Sequence, residues 1–167
     1  MDSVRLEMRN NRIAFEEHEG DLASLKGFKE ITGHLVFDVK LGENFRRKAR
    51  FCADGHKTEA PPSVTYSTVV SRDSVRIILL VAALNELEVL CGDVQNAYLT
   101  APNREKVYIR AGREFTCVPG NEDLAGKILI ITRALYGLKS AGASFRAFMA
   151  NQLDEMGFKS STGDPDV

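Results

Sequence analysis

The sequence predicts a mixed α+β domain, because strand-like and helical patterns alternate along it without internal repeats. Two β-rich runs flank a turn that contains glycine, which is typical of a hairpin. Farther along, two segments carry apolar residues at helical spacing. With 167 residues, 44% of them hydrophobic, the chain is long enough for one domain with a buried core.

The first 30 residues are polar and charged, and the composition changes after them. They contain the acidic stretch Glu16–Asp21, and we interpret residues 1–30 as a leader with one short helix at most. We therefore expect the folded domain to occupy residues 31–167.

The hairpin is predicted from two runs, Gly33–Lys40 and Phe45–Ala53, which flank the turn Leu41–Asn44. An Ala-Pro-Pro-Ser break at residues 60–63 then begins a loop.

The first helix after this loop has Ser71 or Asp73 as its candidate cap and ends near Asn85. Four residues define its apolar face by their i, i+3, i+4, i+7 spacing: Val75, Ile78, Leu79 and Ala82.

Three strands and one helix complete the prediction. The buried strand Val89–Val94 comes first, and Lys106–Arg110 and Lys127–Ile131 follow it. A helix over Ser140–Met156, entered through a turn that Ser140 caps, ends at Gly157, a typical C-terminal residue of helices.

The charge balance and the absence of targeting signals limit the classes of function. The net charge is −1, so any nucleic-acid contact requires a local cluster of cations. The longest apolar run, Ile77–Leu84, is far shorter than a membrane span of about 20 residues, and the N-terminus lacks a secretory pattern. The three cysteines form no C-x-x-C pair. We expect a soluble, intracellular protein that is not secreted and has no membrane partner.

Three groups of residues are candidates for chemistry, each with a structural alternative. Asp93, at the end of a predicted strand, is a candidate Mg²⁺ ligand or simply a carboxylate bonded to its own loop. The cations Arg46, Lys48 and Arg50 share one strand face, which suits either a phosphate clamp or a solvated surface. The small residues after Tyr136 suit either the close approach of another backbone or of a flat base, or an ordinary turn that Ser140 caps into a packed helix.

Taken together and in order, these segments resemble the reverse transcriptase of copia-type LTR retrotransposons. The resemblance extends from Ile31 to Val167 and includes a closing Gly-Phe, Ser and Asp-Pro pattern from Gly157 onward. Four stretches carry the resemblance. Arg47–His56 is similar to the family's K-A-R-L-V-A-x-G motif, and Tyr66–Arg76 is similar to Y-x-x-T-F-S-P-V-V…S-I-R. Asp93–Leu99 is similar to D-V-x-x-A-F/Y-L, and Leu135–Ser140 is similar to L-Y-G-L-K-Q.

The resemblance implies a right-hand polymerase fold, here a partial one with a fingers hairpin and an incomplete palm sheet. It also implies two Mg²⁺ ions that support nucleotidyl transfer. Asp93 matches the first metal-binding carboxylate, and the Val94 carbonyl matches a backbone ligand. Tyr98 matches the aromatic residue that lies under the sugar of the nucleotide and excludes a 2′-hydroxyl.

The remaining implied roles concern the incoming nucleotide. Lys48 and Arg50 match the fingers cations that hold the triphosphate. Tyr136 and Gly137 match residues that line the nucleotide pocket. The implied partners are an RNA or DNA template-primer, deoxynucleoside triphosphates and the rest of a retrotransposon polyprotein, located in cytoplasmic virus-like particles or in the nucleus.

The sequence also departs from the family pattern. Gly142 and Ala143 replace a proline and an arginine, and the S-P-V-V proline is absent near Thr68. The family's other two metal-binding carboxylates lie in a Y/F-V-D-D hairpin after the Asp-Pro element. We interpret Asp164 and Asp166 as that Asp-Pro loop and not as substitutes.

We therefore expect these 167 residues alone to be catalytically incomplete, with one of three carboxylates and apolar surface exposed where the family's palm hairpin would pack. The alternatives are a noncatalytic nucleic-acid-binding module and a transposon remnant without function.

Overall fold

The computed structural model describes residues 2–42, 44–59, 61 and 65–167. Glu43 of the predicted turn lies outside the described residues, as do Ala60, Pro62 and Ser63 of the predicted break. The described α-helices are α1 (Asp2–Asn11), α2 (Arg72–Leu84), α3 (Ala97–Thr100) and α4 (Ala141–Glu155). The described strands are β1 (Phe15–Glu17), β2 (Lys29–Ile31), β3 (Gly33–Lys40), β4 (Arg46–Ala53), β5 (Val107–Arg110) and β6 (Ile128–Ile131). Short 3₁₀ helices cover Arg12–Ala14, Leu22–Ser24, Gly55–Lys57 and Arg113–Cys117.

A mixed four-stranded sheet has the order β1-β6-β5-β2. Strand β6 runs antiparallel to β1 and β5, whereas β5 runs parallel to β2. The two central strands confirm the predictions at 106–110 and 127–131. Their apolar side chains are buried because both edges of each strand are paired and both faces are largely covered: Val107, Ile109, Leu129 and Ile131.

The predicted hairpin forms a second, two-stranded sheet from β3 and β4. Its antiparallel register places Gly33 opposite Ala53 and Lys40 opposite Arg46. Along β4, Ala49 and Phe51 are buried on one face, while the alternating cations Lys48 and Arg50 project from the other. The hairpin therefore separates an apolar face, which packs on the domain, from a cationic face.

Three phenylalanine rings join the two sheets in the core. Phe15 of β1, Phe51 of β4 and Phe115 contact one another edge to face, with ring centroids 5.1 to 6.0 Å apart. Edge-to-face contacts add to the hydrophobic gain because the positive ring edge meets the negative ring face. These rings fix the base of the hairpin against the four-stranded sheet.

The first 30 residues are folded, in contrast to the expected leader. Helix α1 packs along β4, and Met8 and Phe15 are fully part of the core. Glu7 Oε1 accepts a 2.9 Å hydrogen bond from the backbone N–H of Phe51, on the edge of β4 that β3 leaves open. Composition misled the interpretation because few of these residues are apolar, yet some of them are buried in the core, among them Met8, Ala14 and Phe15.

Helix α2 forms as predicted but is packed on little of its surface. Ser71 caps it by accepting the N–H of Ser74 at 3.0 Å, and it ends before Asn85. Of the predicted apolar face, only Ala82 is buried, and Leu84 is 75% exposed. Most of the apolar side chains of α2 are therefore exposed to solvent.

The predicted strand Val89–Val94 is absent, because residues 87–94 have no regular secondary structure. A strand needs a neighbour that pairs with its backbone. In the part of the chain that the structure describes, the strands of both sheets pair among themselves and none lies beside this segment. Leu90 is consequently 92% exposed. No helix among the described residues has the length and apolarity to cross a bilayer.

The predicted final helix is confirmed as α4, although its start differs from the expectation. Gly157, at φ 92°, allows Phe158 N–H to bond Leu153 O at 3.0 Å, which closes the C-terminus. At the start, Ser140 makes no side-chain cap. Its N–H and its hydroxyl both donate to Glu105 Oε1 at 2.8 Å, and both residues are buried.

We expect Glu105→Ala to lower the free energy of unfolding by about 2–4 kcal/mol, because two buried donors on Ser140 lose their acceptor. Urea unfolding followed by circular dichroism measures the change. Glu88→Ala, at an exposed position, is the control and should shift stability by less than about 0.5 kcal/mol. Equal effects of the two substitutions would contradict a structural role for Glu105.

Candidate active site

Asp93, the candidate metal ligand, lies on an exposed loop and not at a strand end. Its carboxylate accepts no hydrogen bond from the residues that the structure describes, so it is not the loop-bonded aspartate of the structural alternative. Carboxylate and carbonyl oxygens suit Mg²⁺, and the Val94 carbonyl follows directly along the chain. The described residues contain no group of three or more His, Cys, Asp or Glu that would hold a metal alone. Asp93 and Val94 therefore fit one side of a metal site.

The loop after Asp93 turns sharply into α3. Asn96 adopts the left-handed conformation, with φ 51° and ψ 40°. Asparagine tolerates this region better than most residues. The turn directs Leu99 into the core and leaves Tyr98 half-buried above it. The left-handed conformation of Asn96 thus sets the direction in which the Tyr98 side chain leaves the loop.

Tyr98 and Tyr136 form an aromatic pair, which we call the tyrosine pair. Their ring centroids lie 4.7 Å apart at a tilt of 58°. Phe145 of α4 supports Tyr98 from the side, with centroids 6.2 Å apart in an edge-to-face arrangement. Phe145 is partly buried against the core, as predicted. The structure therefore brings together two site residues that are separated by 38 positions in sequence.

Charges from three other segments act on the tyrosine pair. The pKa of Tyr136 is raised, mainly because burial disfavours the phenolate and also because of Tyr98. Arg50 opposes this shift of the Tyr136 pKa, whereas Glu7 and Asp93 add to it. Arg50 and Asp93 thus act on the same group with opposite effects on the pKa of Tyr136.

The cations Arg46, Lys48 and Arg50 lie on one face of the hairpin, as predicted. Lys48 pairs in register with Asp38, and Arg50 pairs with Val36. Two residues along a strand correspond to about 6.6 Å, so Lys48 lies farther toward the hairpin tip than Arg50. Arg50 is the cation whose charge reaches Tyr136.

Gly137 allows two backbones to cross in contact. Its φ is 90°, and a Cβ there would overlap the Ala53 carbonyl oxygen and lie 3.0 Å from the carbonyl carbon. From the other side, a Cβ on Gly55 would lie 2.5 Å from the Gly137 oxygen. Ala53 N–H donates to Tyr136 O at 2.7 Å across the same crossing. The glycine of the L-Y-G-L motif therefore binds the end of β4, and this crossing fixes Tyr136.

A buried carboxylate holds the chain in place directly after the crossing. Asp54 accepts hydrogen bonds from Thr32 Oγ1, from His34 Nδ1 at 2.8 Å and from Lys57 Nζ at 2.8 Å. These contacts hold the pKa of Asp54 far below its usual range, with the Lys57 hydrogen bond as the largest cause and the Thr32 bond next. Asp54 ties the base of β3 to the turn that follows β4.

Asp164 and Asp166 serve as structural anchors, in line with their interpretation as a loop. Asp164 Oδ2 accepts from Ser71 N–H at 3.1 Å and from Ser74 Oγ at 2.6 Å, at the start of α2. The pKa of Asp164 is lowered, first by the Ser74 hydrogen bond. Asp166 Oδ1 pairs with Arg146 Nε at 2.5 Å.

Two residues of this region were not singled out from the sequence. Asp54 follows a strand and precedes Gly55, a pattern typical of side chains that organise a turn. Glu7 gives no local signal, because its role depends on where α1 packs in three dimensions.

A comparison with models of known protein families matches residues 21–165 to a family described as "Reverse transcriptase (RNA-dependent DNA polymerase)". The chain belongs to this reverse transcriptase family. The match begins at residue 21, inside the segment that we interpreted as a leader.

Two curated relatives support the copia-type resemblance. The chain is 31% identical over 121 residues to "Retrovirus-related Pol polyprotein from transposon RE1" of Arabidopsis thaliana. It is 29% identical over 121 residues to the corresponding polyprotein from transposon RE2 of the same plant. Each alignment covers 71% of this chain and 8% of the relative, so the chain corresponds to a small part of these polyproteins. No solved structure gave a match.

We expect Gly137→Ala to destabilise this reverse transcriptase chain by more than the about 1–2 kcal/mol cost of a left-handed backbone conformation, because its methyl group also meets Ala53. Gly120→Ala is the matched control, since Gly120 has φ 87° and open space around its Cβ position. Thermal or urea unfolding of both variants measures the difference, which isolates the close approach. Equal losses of stability would show that the crossing tolerates a side chain.

We expect Asp54→Asn to lower the free energy of unfolding by about 2–3 kcal/mol at pH 7, because charged hydrogen bonds become neutral ones. The folded-state pKa of Asp54 lies below its unfolded value of about 3.9, so this contribution is present above about pH 4 and is lost as the pH falls toward the folded pKa.

The difference in stability between Asp54→Asn and the parent should therefore shrink between pH 5 and pH 3. Urea unfolding at several pH values measures it, with the exposed Asp38→Asn as the control on the same hairpin. A deficit that stays constant down to pH 3 would mean that the ionised carboxylate is not the stabilising group.

Proposed function

We propose that this chain supplies the nucleotide-binding side of a polymerase active site. In the intact polyprotein, this site would join a deoxynucleoside triphosphate to a primer on an RNA or DNA template. Membership of the reverse transcriptase family supports the reaction class. The residue assignments come from the motif resemblance, and the arrangement of the site supports them.

One observation carries the proposal: Tyr98, five residues after Asp93, packs against Tyr136, whose backbone carbonyl accepts the N–H of Ala53 at the end of the strand that carries Arg50. Nucleotidyl transfer needs a cation for the triphosphate, a carboxylate for the metal and a flat surface for the sugar and base. Arg50, Asp93 and Tyr98 are of these three types, and they come from two separate chain segments, β4 and the loop and helix at residues 93–99.

Arg50 would hold the triphosphate, and Lys48 would extend the same cationic face. An arginine fork matches phosphate oxygens in a bidentate geometry and stays charged at any physiological pH. Arg50 is partly buried at the base of the hairpin, where its side chain loses less rotational freedom on binding than a fully exposed one. Lys48 lies opposite Asp38 in the strand register.

Tyr98 would lie under the sugar of the nucleotide. Its ring is held between Tyr136 and Phe145, so it cannot swing aside without breaking two aromatic contacts. A rigid ring at this position excludes a 2′-hydroxyl by collision, which is a more effective form of discrimination than weak attraction.

Asp93 and the Val94 carbonyl would hold Mg²⁺ together with the phosphates of the nucleotide. When bound, the metal neutralises charge on the triphosphate. The exposed position of Asp93 suits this role, because Mg²⁺ keeps several waters and binds proteins through one or two carboxylates.

In the intact polymerase that contains this segment, we expect Arg50→Ala to reduce kcat/KM for a deoxynucleoside triphosphate by roughly 10- to 150-fold. The loss corresponds to a charge-assisted contact of about 1.5–3 kcal/mol. Single-nucleotide incorporation measures it. Arg47→Ala is the matched control, because Arg47 is a neighbour in β4 on the opposite face. If Arg50→Ala instead weakens duplex binding and lowers its salt dependence, the cationic face contacts a nucleic-acid backbone.

Tyr98→Ala should leave triphosphate binding nearly unchanged and admit ribonucleotides, because the ring that would meet the 2′-hydroxyl is gone. The ratio of kcat/KM for deoxy- and ribonucleotides measures this change in selectivity. Phe148→Ala, which removes another partly buried ring of α4, controls for loosened packing. An unchanged ratio in Tyr98→Ala would place sugar discrimination elsewhere.

A further inference from the structure

One edge of the hairpin is open, because β3 pairs only with β4 in the part of the chain that the structure describes. Phe51 N–H donates to Glu7 on the far side of β4, so it points away from β3. Leu35 lies opposite Phe51 in the register, and opposite residues of an antiparallel pair either both bond each other or both point outward. The backbone groups of Leu35 therefore point to the open edge of β3.

The direction of the backbone groups repeats every second residue, so Phe37 and Val39 also point to the open edge. The Val39 N–H agrees with this, since it donates to the Asp38 carboxylate at 2.8 Å. The side chains along this edge are apolar and exposed, with Phe37 at 67%, Val39 at 47% and Leu41 at 73%. Outward backbone groups beside exposed apolar side chains are a template for pairing with another strand.

The sequence of this edge is complementary to itself in one antiparallel register. When two copies of β3 meet across a two-fold axis at Val39, their outward backbone groups face each other, as a ladder requires. Asp38 then lies opposite the partner's Lys40, and this pair occurs twice across the axis. On the other face, Phe37 lies opposite the partner's Leu41, and the two Val39 side chains are neighbours. Each of these pairs is of a type that stabilises antiparallel sheets.

The register centred on Phe37 lacks this match. It also directs outward backbone groups toward each other, but it places Asp38 opposite the partner's Val36 and Lys40 opposite the partner's His34. Neither pair joins opposite fixed charges. The charges of β3 therefore favour the register centred on Val39.

We propose that β3 pairs with β3 of a second copy of this chain, so that two hairpins form one four-stranded antiparallel sheet. The two-fold axis makes both halves of the interface identical, which is the commonest symmetry of a dimer. On pairing, the partner's Val39 carbonyl replaces the Asp38 carboxylate as the acceptor of the Val39 N–H. The released carboxylate then lies between Lys48, its neighbour in the register, and the partner's Lys40.

A charged residue on an edge strand more commonly discourages pairing, and Lys40 alone would have that effect. Here the second copy supplies a carboxylate opposite that lysine, so the charges favour a copy of this chain over an unrelated strand. The interface lies along the edge of the hairpin and does not include Arg50. The inference is therefore independent of the proposed nucleotide site.

The first test is the oligomeric state of the 167-residue chain, measured by sedimentation velocity at protein concentrations up to about 1 mM. We expect a reversible equilibrium between monomer and dimer. Asp38→Lys and Lys40→Asp each turn two attractive pairs into two repulsive ones, because every change is repeated across the axis. Either substitution should raise the dimer Kd about tenfold or more. Circular dichroism and thermal unfolding check that each variant folds.

Mixing the two variants tests the register itself. In a mixed dimer, the substituted position 38 of one chain meets the substituted position 40 of the other, and the two unchanged residues meet each other. Both pairs again have opposite charges, so the mixture should dimerise with a Kd within about threefold of the parent value. The matched control pair is Asp21→Lys and Lys26→Asp, which makes the same charge changes at exposed positions outside β3. These controls should change Kd by less than about twofold, alone or mixed.

Val39→Pro tests the backbone pairing without relying on charge. It removes an N–H that points to the open edge, which an edge strand tolerates, and leaves the bonds between β3 and β4 in place. We expect dimerisation to weaken about tenfold or more, because two backbone bonds at the centre of the interface are lost. Val39→Ala, which keeps the N–H, should weaken it by less than about fivefold.

Three results would overturn the proposal. The first is a chain that stays monomeric over the whole concentration range. The second is a pair of charge variants that does not recover dimerisation on mixing, or that behaves like its control pair. The third is a dimer that persists in Val39→Pro but is lost in Leu84→Gln, since this result would place the contact on the exposed apolar surface of α2.

Discussion

The crossing of the turn at Gly137 over the end of β4 is the constraint on which the rest of the structure depends. At this point the backbones of Ala53 and Gly137 are in direct contact, and one hydrogen bond joins Ala53 to Tyr136. The hairpin makes no strand pairing with the four-stranded sheet, so its orientation is set by this crossing, by the three phenylalanine rings and by Glu7. A shift of a few tenths of an ångström here would move Arg50 relative to Tyr136.

The candidate active site is assembled from short segments that are each fixed by a different physical device. Backbone contact fixes Tyr136, a left-handed asparagine directs Tyr98, and a buried carboxylate at Asp54 holds the base of the hairpin that carries Arg50. The carboxylate of Asp93 has the least support, since it lies on an exposed loop without hydrogen bonds from the described residues. The side chains around the tyrosine pair are thus held in place by neighbouring residues, whereas the carboxylate of Asp93 is not.

Local patterns predicted the elements whose formation depends on local interactions. The hairpin, α2 with its Ser71 cap, β5, β6 and the Gly157 end of α4 all follow from periodicity, caps and turns. Residues 1–30 were misjudged because Met8 and Phe15 lie in a largely polar stretch, and tertiary packing buries them. The prediction of a strand at 89–94 was wrong, because the apolar content of a segment does not show whether a neighbouring strand is present to pair with it. The sequence showed which residue types the candidate site contains. It did not show that Tyr98 packs against Tyr136, or that Arg50 and Asp93 both influence the pKa of Tyr136.

The hydrogen bonds from Ser71 and Ser74 to Asp164 have a consequence for the order of folding during synthesis. Helix α2 has few other buried contacts, so its N-terminus is fixed mainly by a residue that leaves the ribosome about 90 positions later. At 5–20 residues per second, this delay is roughly 5–20 s. During that time the apolar surface of α2 is exposed on a nascent chain whose hairpin and α1 are already available to pack. Chaperones that recognise exposed apolar segments would therefore have access to this helix on the nascent chain.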